Sequence, residues 1–166
     1  RVAGAEASVA VMSGHFLQRG EPALVDKWVR TGMALAAGVD LVLELPFPFA
    51  CNSAPHFALG AVRSLAALGV VDALCFGSEA GELSALDKVA EVLDEKADAV
   101  EAETARRLRR GVNYPAARAE VLAQLLPEVS ADELASPNNI LGIEYLRALQ
   151  TTSSRIEAFT IPRLGA

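Results

Sequence analysis

Gly77-Ser78-Glu79 closes a short apolar run, Ser136-Pro137-Asn138-Asn139 opens a helical one, and Arg163 follows a third apolar run. Each segment carries groups suited to a phosphorylated ligand. Glycine lets backbone N–H groups come close to a phosphate or a purine. Arginine neutralises phosphate charge with a two-pronged donor. The first turn of a helix has free N–H groups and the positive end of a dipole, which favours an anion. The carboxamides of Asn138 and Asn139 both donate and accept, so they suit a ribose hydroxyl or a base edge. A nucleotide is the ligand these types point to, although Gly-Ser-Glu is a weak signal alone. The blander roles are an ordinary strand-ending turn for Gly77, backbone satisfaction for Asn138 and a surface ion pair for Arg163. Glu79 either meets a ribose hydroxyl or caps the following turn.

A second polar stretch, residues 13–22, gathers His15, Gln18, Arg19 and Glu21 with two glycines. Beyond it, Asp26 and Arg30 are spaced to pair on a helix, and Lys27 and Arg19 can face a phosphate. His15 has no neighbours that make a metal set. Arg106, Arg107, Arg109 and Arg110 crowd one helix end. They either complement the helix dipole or form an RNA patch. Cys51 and Cys75 read as reduced core thiols and Trp28 as a core residue.

Hydrophobic periodicity supplies the frame that would hold these groups. Strands are predicted over 8–12, 40–45, 73–76 and 155–164, the second apolar enough to be buried on both faces. Helices are predicted from 24 to 36 and over 56–68, 83–93, 98–110, 114–126 and 140–149. The loop 46–55 holds three prolines and is expected to stay extended. Ser136 reads as a helix N-cap with Pro137 at the first helical position. Strands recurring between helices predict an α/β domain with a parallel sheet and right-handed crossovers. Residues 97–135 lack strand signal and read as a helical insertion before the last strand. In such sheets ligands bind beyond the carboxyl ends of the strands, where 13–22, 46–55, 77–81 and 163–166 all emerge.

With 166 residues, 52% hydrophobic and 22% charged, the chain suits one globular domain. Its net charge of -6 does not favour general nucleic-acid binding, so an RNA contact would need a local basic patch. No apolar run is long enough for a bilayer and no signal peptide is visible, so a cytoplasmic protein with no membrane partner is expected. Both ends read as cut from a longer protein.

The segments MSGHFLQRGEPALVDKW, DLVLELPFPFACNSAPHFALGAV, CFGSE, GVNYPAARAE, SPNNILGIEYLRAL and FTIPRLGA, in this order, resemble the bacterial tRNA(Met) cytidine acetate ligase family. The resemblance implies a Rossmannoid, nucleotidyltransferase-like fold. It implies activation of acetate by ATP, with accompanying Mg2+, as acetyl-adenylate, and acetyl transfer to N4 of the wobble cytidine of elongator tRNA(Met). By position it implies ATP contacts at Gly77, Asn138 and Arg163, with Asn139 the alternative asparagine. The family's His-x-Gly-His segment is expected ahead of Arg1, and a Ser/Thr helix cap beyond the last strand. Gly14-His15 follows a different strand and is not that motif. Catalytic groups are therefore expected outside these residues, and the fragment alone is expected to bind ATP weakly. Two other readings remain: an adenylyltransferase for a small-molecule nucleotide, and an RNA-binding fragment without catalysis.

Overall fold

The computed structural model describes residues 3–152 and 155–163. It divides into two compact units, Arg1–Leu74 with Ala148–Glu157, and Cys75–Arg147 with Ala158–Ala166.

The first unit is built on β1 (Val9–Ser13) and β2 (Leu41–Leu45), which pair in parallel from Val9 opposite Leu41 to Ser13 opposite Leu45. Ser8 pins the start of the pair. Its backbone N–H and hydroxyl reach Asp40 Oδ2 at 2.8 and 3.0 Å. These donors hold the Asp40 carboxyl below the usual carboxylate range. α1 (Lys27–Ala36) joins the strands, and α2 (Phe47–Ala50) and α3 (Ala54–Ala67) follow β2. α3 buries Ala58, Ala61, Val62 and Leu65. Its Gly60 leaves no room for a side chain, since a Cβ there would sit 2.6 Å from Phe49 Cβ.

Four expectations for this unit are corrected. Residues 46–55 are not extended: the Phe49, Ala50 and Cys51 N–H groups bond back to Pro46 and Phe47 carbonyls to form α2. Pro46, Pro48 and Pro55 lie at helix starts, where the missing N–H has no intrahelical partner to lose. Second, α1 starts at Lys27 rather than Leu24, because Asp26 Oδ1 accepts from the Val29 N–H at 2.9 Å and serves as the N-cap. That use of Asp26 replaces its expected pairing with Arg30. Third, Trp28 is 73% exposed and no residue of α1 is buried, so its helical period is not a core signal here. Fourth, β2 is not buried on both faces: Glu44 is exposed on one face while Leu45 is buried on the other.

The second strand pair joins β3 (Ala73–Ser78) to β4 (Glu157–Pro162). The Glu157 N–H donates to Asp72 O and the Arg163 N–H to Ser78 O, so the partners advance together and the pair is parallel. In the second unit, Phe76 and Ser78 of β3 are buried whereas Cys75 and Gly77 are exposed. This alternation follows from the period of two in a strand. It corrects the expectation of a core Cys75; Cys51 is half-buried, and both thiols are free.

Between β3 and β4 the chain is helical: α4 (Leu83–Glu95), α5 (Ala97–Leu108), α6 (Tyr114–Leu125), α7 (Ala131–Ala135) and α8 (Pro137–Thr151). α4 buries Leu86, Val89, Ala90 and Leu93, and α6 buries Ala117, Ala119, Val121 and Leu122. Each large apolar side chain contributes about 1.5–3 kcal/mol when removed from water. Glu144 of α8 is 2% exposed and lies between Arg118 at 2.6 Å and Arg147 at 3.0 Å. Burial would lower the Arg147 pKa, but the Asp94 hydrogen bond and the Glu144 charge outweigh it and hold the guanidinium charged. Removing either arginine would leave a buried carboxylate short of partners, which is costly. The Tyr145 ring stacks at a tilt on Phe76, centroids 5.5 Å apart, and burial pushes its phenol up to about 12. Among the described residues no helix is long and apolar enough to cross a membrane.

Two outcomes follow for the full-length protein. A methyl on Gly142 would gain about 1 kcal/mol of helix propensity. It would also meet Phe76 Cε2 at 2.8 Å and Leu86 Cδ1 at 3.2 Å, an overpacking cost of about 1–3 kcal/mol. With Tyr145 behind the ring the clash dominates, so Gly142→Ala lowers stability by about 1 kcal/mol in urea titration; a rise would show that Phe76 gives way. The second outcome concerns pH. The folded Tyr145 pKa lies above the ordinary 10.0, so its contribution is complete below pH 10 and is lost between pH 10 and about 12. Stability measured across that window falls less steeply in Tyr145→Phe than in the parent.

Candidate functional site

All three residues singled out for a nucleotide, Gly77, Asn138 and Arg163, belong to the second unit. Gly77 is exposed on β3, and a Cβ built on it would meet nothing within 4 Å. The chain then turns at Ser78. Its buried hydroxyl accepts from the Gly81 N–H at 3.0 Å and lies 2.8 Å from Thr160 Oγ1, which is also 3.1 Å from Phe76 O. Gly81 has φ +75, and a Cβ there would sit 2.7 Å from Pro162 Cδ. Only glycine permits both that backbone and that approach. The 2.9 Å bond from the Arg163 N–H to Ser78 O sets Arg163 beside the same turn. Arg163 is exposed, and among the described residues its guanidinium has no partner.

α8 delivers the asparagines. Ser136 takes the expected N-cap position, its carbonyl accepting from the Ile140 N–H at 3.0 Å, but its side chain is used elsewhere. Its hydroxyl donates to Glu133 O at 3.0 Å, closing α7, whose own start carries the Ser130–Glu133 capping box. Pro137 is the first helical residue, as the sequence reading has it. Asn139 is 6% exposed and committed at both ends: Oδ1 accepts from the Glu79 N–H at 3.0 Å, and Nδ2 donates to Glu133 O at 3.0 Å. Asn138 is half-buried and donates through Nδ2 to Glu79 Oε1 at 2.8 Å. Its oxygen has no protein partner among the described residues. The two neighbours thus divide the work: Asn139 holds backbone, while Asn138 retains an acceptor. Glu79 does not cap the turn, since the Ser78 hydroxyl does so; its carboxylate receives Asn138.

Gly77, Asn138 and Arg163 therefore meet at the carboxyl ends of β3 and β4, where α/β folds bind ligands. Open space over a glycine, an unengaged carboxamide oxygen and an exposed guanidinium can hold a nucleoside and its phosphate charge.

The remaining candidates do not join them. Lys27 is not free for a phosphate: its ammonium is 2.6 Å from Glu44 Oε2 and lies over the Trp28 ring, 5.2 Å from the centroid. Arg30 donates to the carbonyls of Ser13 and Gly14, closing the end of β1. Arg19 and His15 are exposed on their loop. Of the arginine cluster, Arg106 pairs with Glu103 at 3.2 Å, and Arg107 pairs with Glu120 and with Gln124 at 2.9 Å. Arg109 and Arg110 are exposed. Among the described residues no group of three His, Cys, Asp or Glu side chains could hold a metal ion.

The family model HIGH Nucleotidyl Transferase matches residues 1–166. The chain belongs to that family. The HIGH Nucleotidyl Transferase match agrees with the α/β architecture, its parallel strand pairs and its helices. The tRNA(Met) cytidine acetate ligase of Syntrophotalea carbinolica is 63% identical over 165 residues, covering 99% of this chain and 39% of that protein. The enzyme of the same name from Alkaliphilus metalliredigens is 50% identical over 173 residues, covering 96% and 40%. The crystal structure of Thermotoga maritima TmcAL bound with alpha-thio ATP superposes with a TM-score of 0.85 at 41% identity, over 96% of this chain and 40% of that one. Its apo form also gives 0.85. The chain thus spans 39–40% of the length of these relatives. The fold is that of a nucleotidyltransferase.

Proposed function

We propose that this chain is the ATP-binding part of a tRNA(Met) cytidine acetate ligase. The observation that carries the reading is the 63% identity to an enzyme of that name, continuous over 99% of the chain. The shared rim of Gly77, Asn138 and Arg163 supports it, as does the alpha-thio ATP bound by the Thermotoga maritima relative.

In the proposed reaction an acetate oxygen attacks the α-phosphorus of ATP in line, and the bond to the departing pyrophosphate breaks. The product is acetyl-adenylate. The N4 amine of the wobble cytidine of elongator tRNA(Met) then attacks the acetyl carbon, and AMP leaves with the bonding pair while the amine loses a proton. Pyrophosphate and AMP are good leaving groups, so the first demand on the protein is alignment and charge. Arg163 offsets phosphate charge, Gly77 admits the nucleoside to the strand end, and Asn138 orients it. Mg2+, when bound, would be carried by the triphosphate and would supply further charge neutralisation there. The second step needs a pocket from which water is excluded, because water would hydrolyse the mixed anhydride. It also needs the wobble base splayed from its stack. The cytoplasm, where tRNA and ATP meet, is the compartment of such a reaction.

Full-length protein given ATP, acetate and tRNA(Met) is expected to add one acetyl group to the wobble cytidine, read by mass spectrometry of nuclease digests. Release of a soluble dinucleotide without RNA would instead favour a small-molecule adenylyltransferase, and RNA binding without turnover a non-catalytic module. At the site itself, Gly77→Val fills open space at an exposed strand position. Its unfolding free energy stays within about 0.5 kcal/mol of the parent. ATP affinity falls about tenfold or more, roughly 1.4 kcal/mol, in calorimetric titration. Unchanged affinity removes Gly77 from the site.

A further inference from the structure

Glu79 binds the first turn of α8 twice, and the two bonds have different consequences. Its backbone N–H goes to Asn139, whose other end is held by Glu133 O. That bond fixes where residue 79 sits. Its side-chain oxygen takes the Asn138 Nδ2 at 2.8 Å. An ionised carboxylate has no donor. The Asn138 carboxamide must therefore turn its nitrogen toward Glu79 and its oxygen away.

We propose that Glu79 is the positioning residue that fixes the polarity of Asn138, so that the site presents an acceptor oxygen to a donor group of the bound nucleotide. The proposal rests on the reading that this rim binds ATP. A free carboxamide would rotate to suit either a donor or an acceptor; one held by a carboxylate cannot. The complementary group is the exocyclic amine of adenine, which donates; a ribose hydroxyl donates and accepts, so it would suit either end of the carboxamide. A nucleotide that offers an acceptor at that point would face the Asn138 oxygen with no proton between them, and a polar group left unpaired in this way is penalised.

The test is calorimetric binding to the full-length protein of ATP, inosine triphosphate, 2′-deoxy-ATP and 3′-deoxy-ATP. Inosine triphosphate replaces the amine by a carbonyl, and each deoxy analogue deletes one hydroxyl. The parent is expected to bind inosine triphosphate about tenfold more weakly than ATP; a deficit confined to a deoxy analogue would mean that Asn138 meets a hydroxyl and would overturn the proposal. Glu79→Gln can offer either end of its own amide to Asn138. Its penalty for inosine triphosphate is expected to shrink to about threefold or less, because the turned carboxamide can donate to the carbonyl, with an unchanged thermal midpoint. The double variant Glu79→Gln with Asn138→Asp reverses the pair: the glutamine nitrogen donates, and an acceptor oxygen again faces the nucleotide. It is expected to restore the penalty. In an Asn138→Ala background, Glu79→Gln should change nothing further. Equal binding of all analogues by the parent overturns the proposal. So does full discrimination in Glu79→Gln, or an undiminished effect of that change without Asn138, which would mean that Glu79 touches the nucleotide itself. Failure of the parent to bind ATP at all defeats the reading beneath it, and is distinct from those results.

Discussion

A part-buried hydrogen bond from the Glu79 backbone to the buried Asn139 ties the end of β3 to the first turn of α8. The candidate site follows from that tie. A strand end must place its last N–H and C=O groups somewhere, because an unpaired buried group costs free energy comparable to a lost bond. Here the Ser78 carbonyl goes to the Arg163 N–H, the Ser78 hydroxyl to the Gly81 N–H and the Glu79 N–H to Asn139. Each bond draws in a different element. Satisfying one turn therefore brings β4, α8 and the exposed Gly77 to one place, and what remains unengaged there is what a ligand can use.

The second unit supports that turn with two kinds of interaction. Apolar burial along α4 and α6 supplies the non-directional part. Direction comes from contacts that tolerate little change. Gly142 lets α8 approach the Phe76 ring, and Glu144 sits between two guanidiniums. The charged network contributes little net stability by itself, but it restricts how α8 can rotate. Since Asn138 and Asn139 ride on α8, that restriction reaches the rim.

Much of this was legible in residue order. Apolar runs bounded by glycine marked the strands, and the end of the third, with Ser136–Asn139 and Arg163, marked the rim. What could not be read shares one cause: local pattern does not say what lies opposite. Trp28, Val29 and Met33 have helical spacing, yet all are exposed. Cys75 looks like core until the inward faces of Phe76 and Ser78 turn it outward. The prolines of 46–55 suggest extension, but at helix starts they cost nothing. Which of two adjacent asparagines stays available depends on Glu79 and Glu133, from 60 and 6 residues away from Asn139, a separation no periodicity encodes.

The indole of Trp28, the single tryptophan in this chain, lies on the surface beneath a lysine ammonium. Its emission consequently reports the solvent around α1 and not the integrity of either hydrophobic core. Unfolding followed through that chromophore would register a small spectral displacement even while the helices melt. The amide circular dichroism of the helices is the signal that tracks loss of structure here.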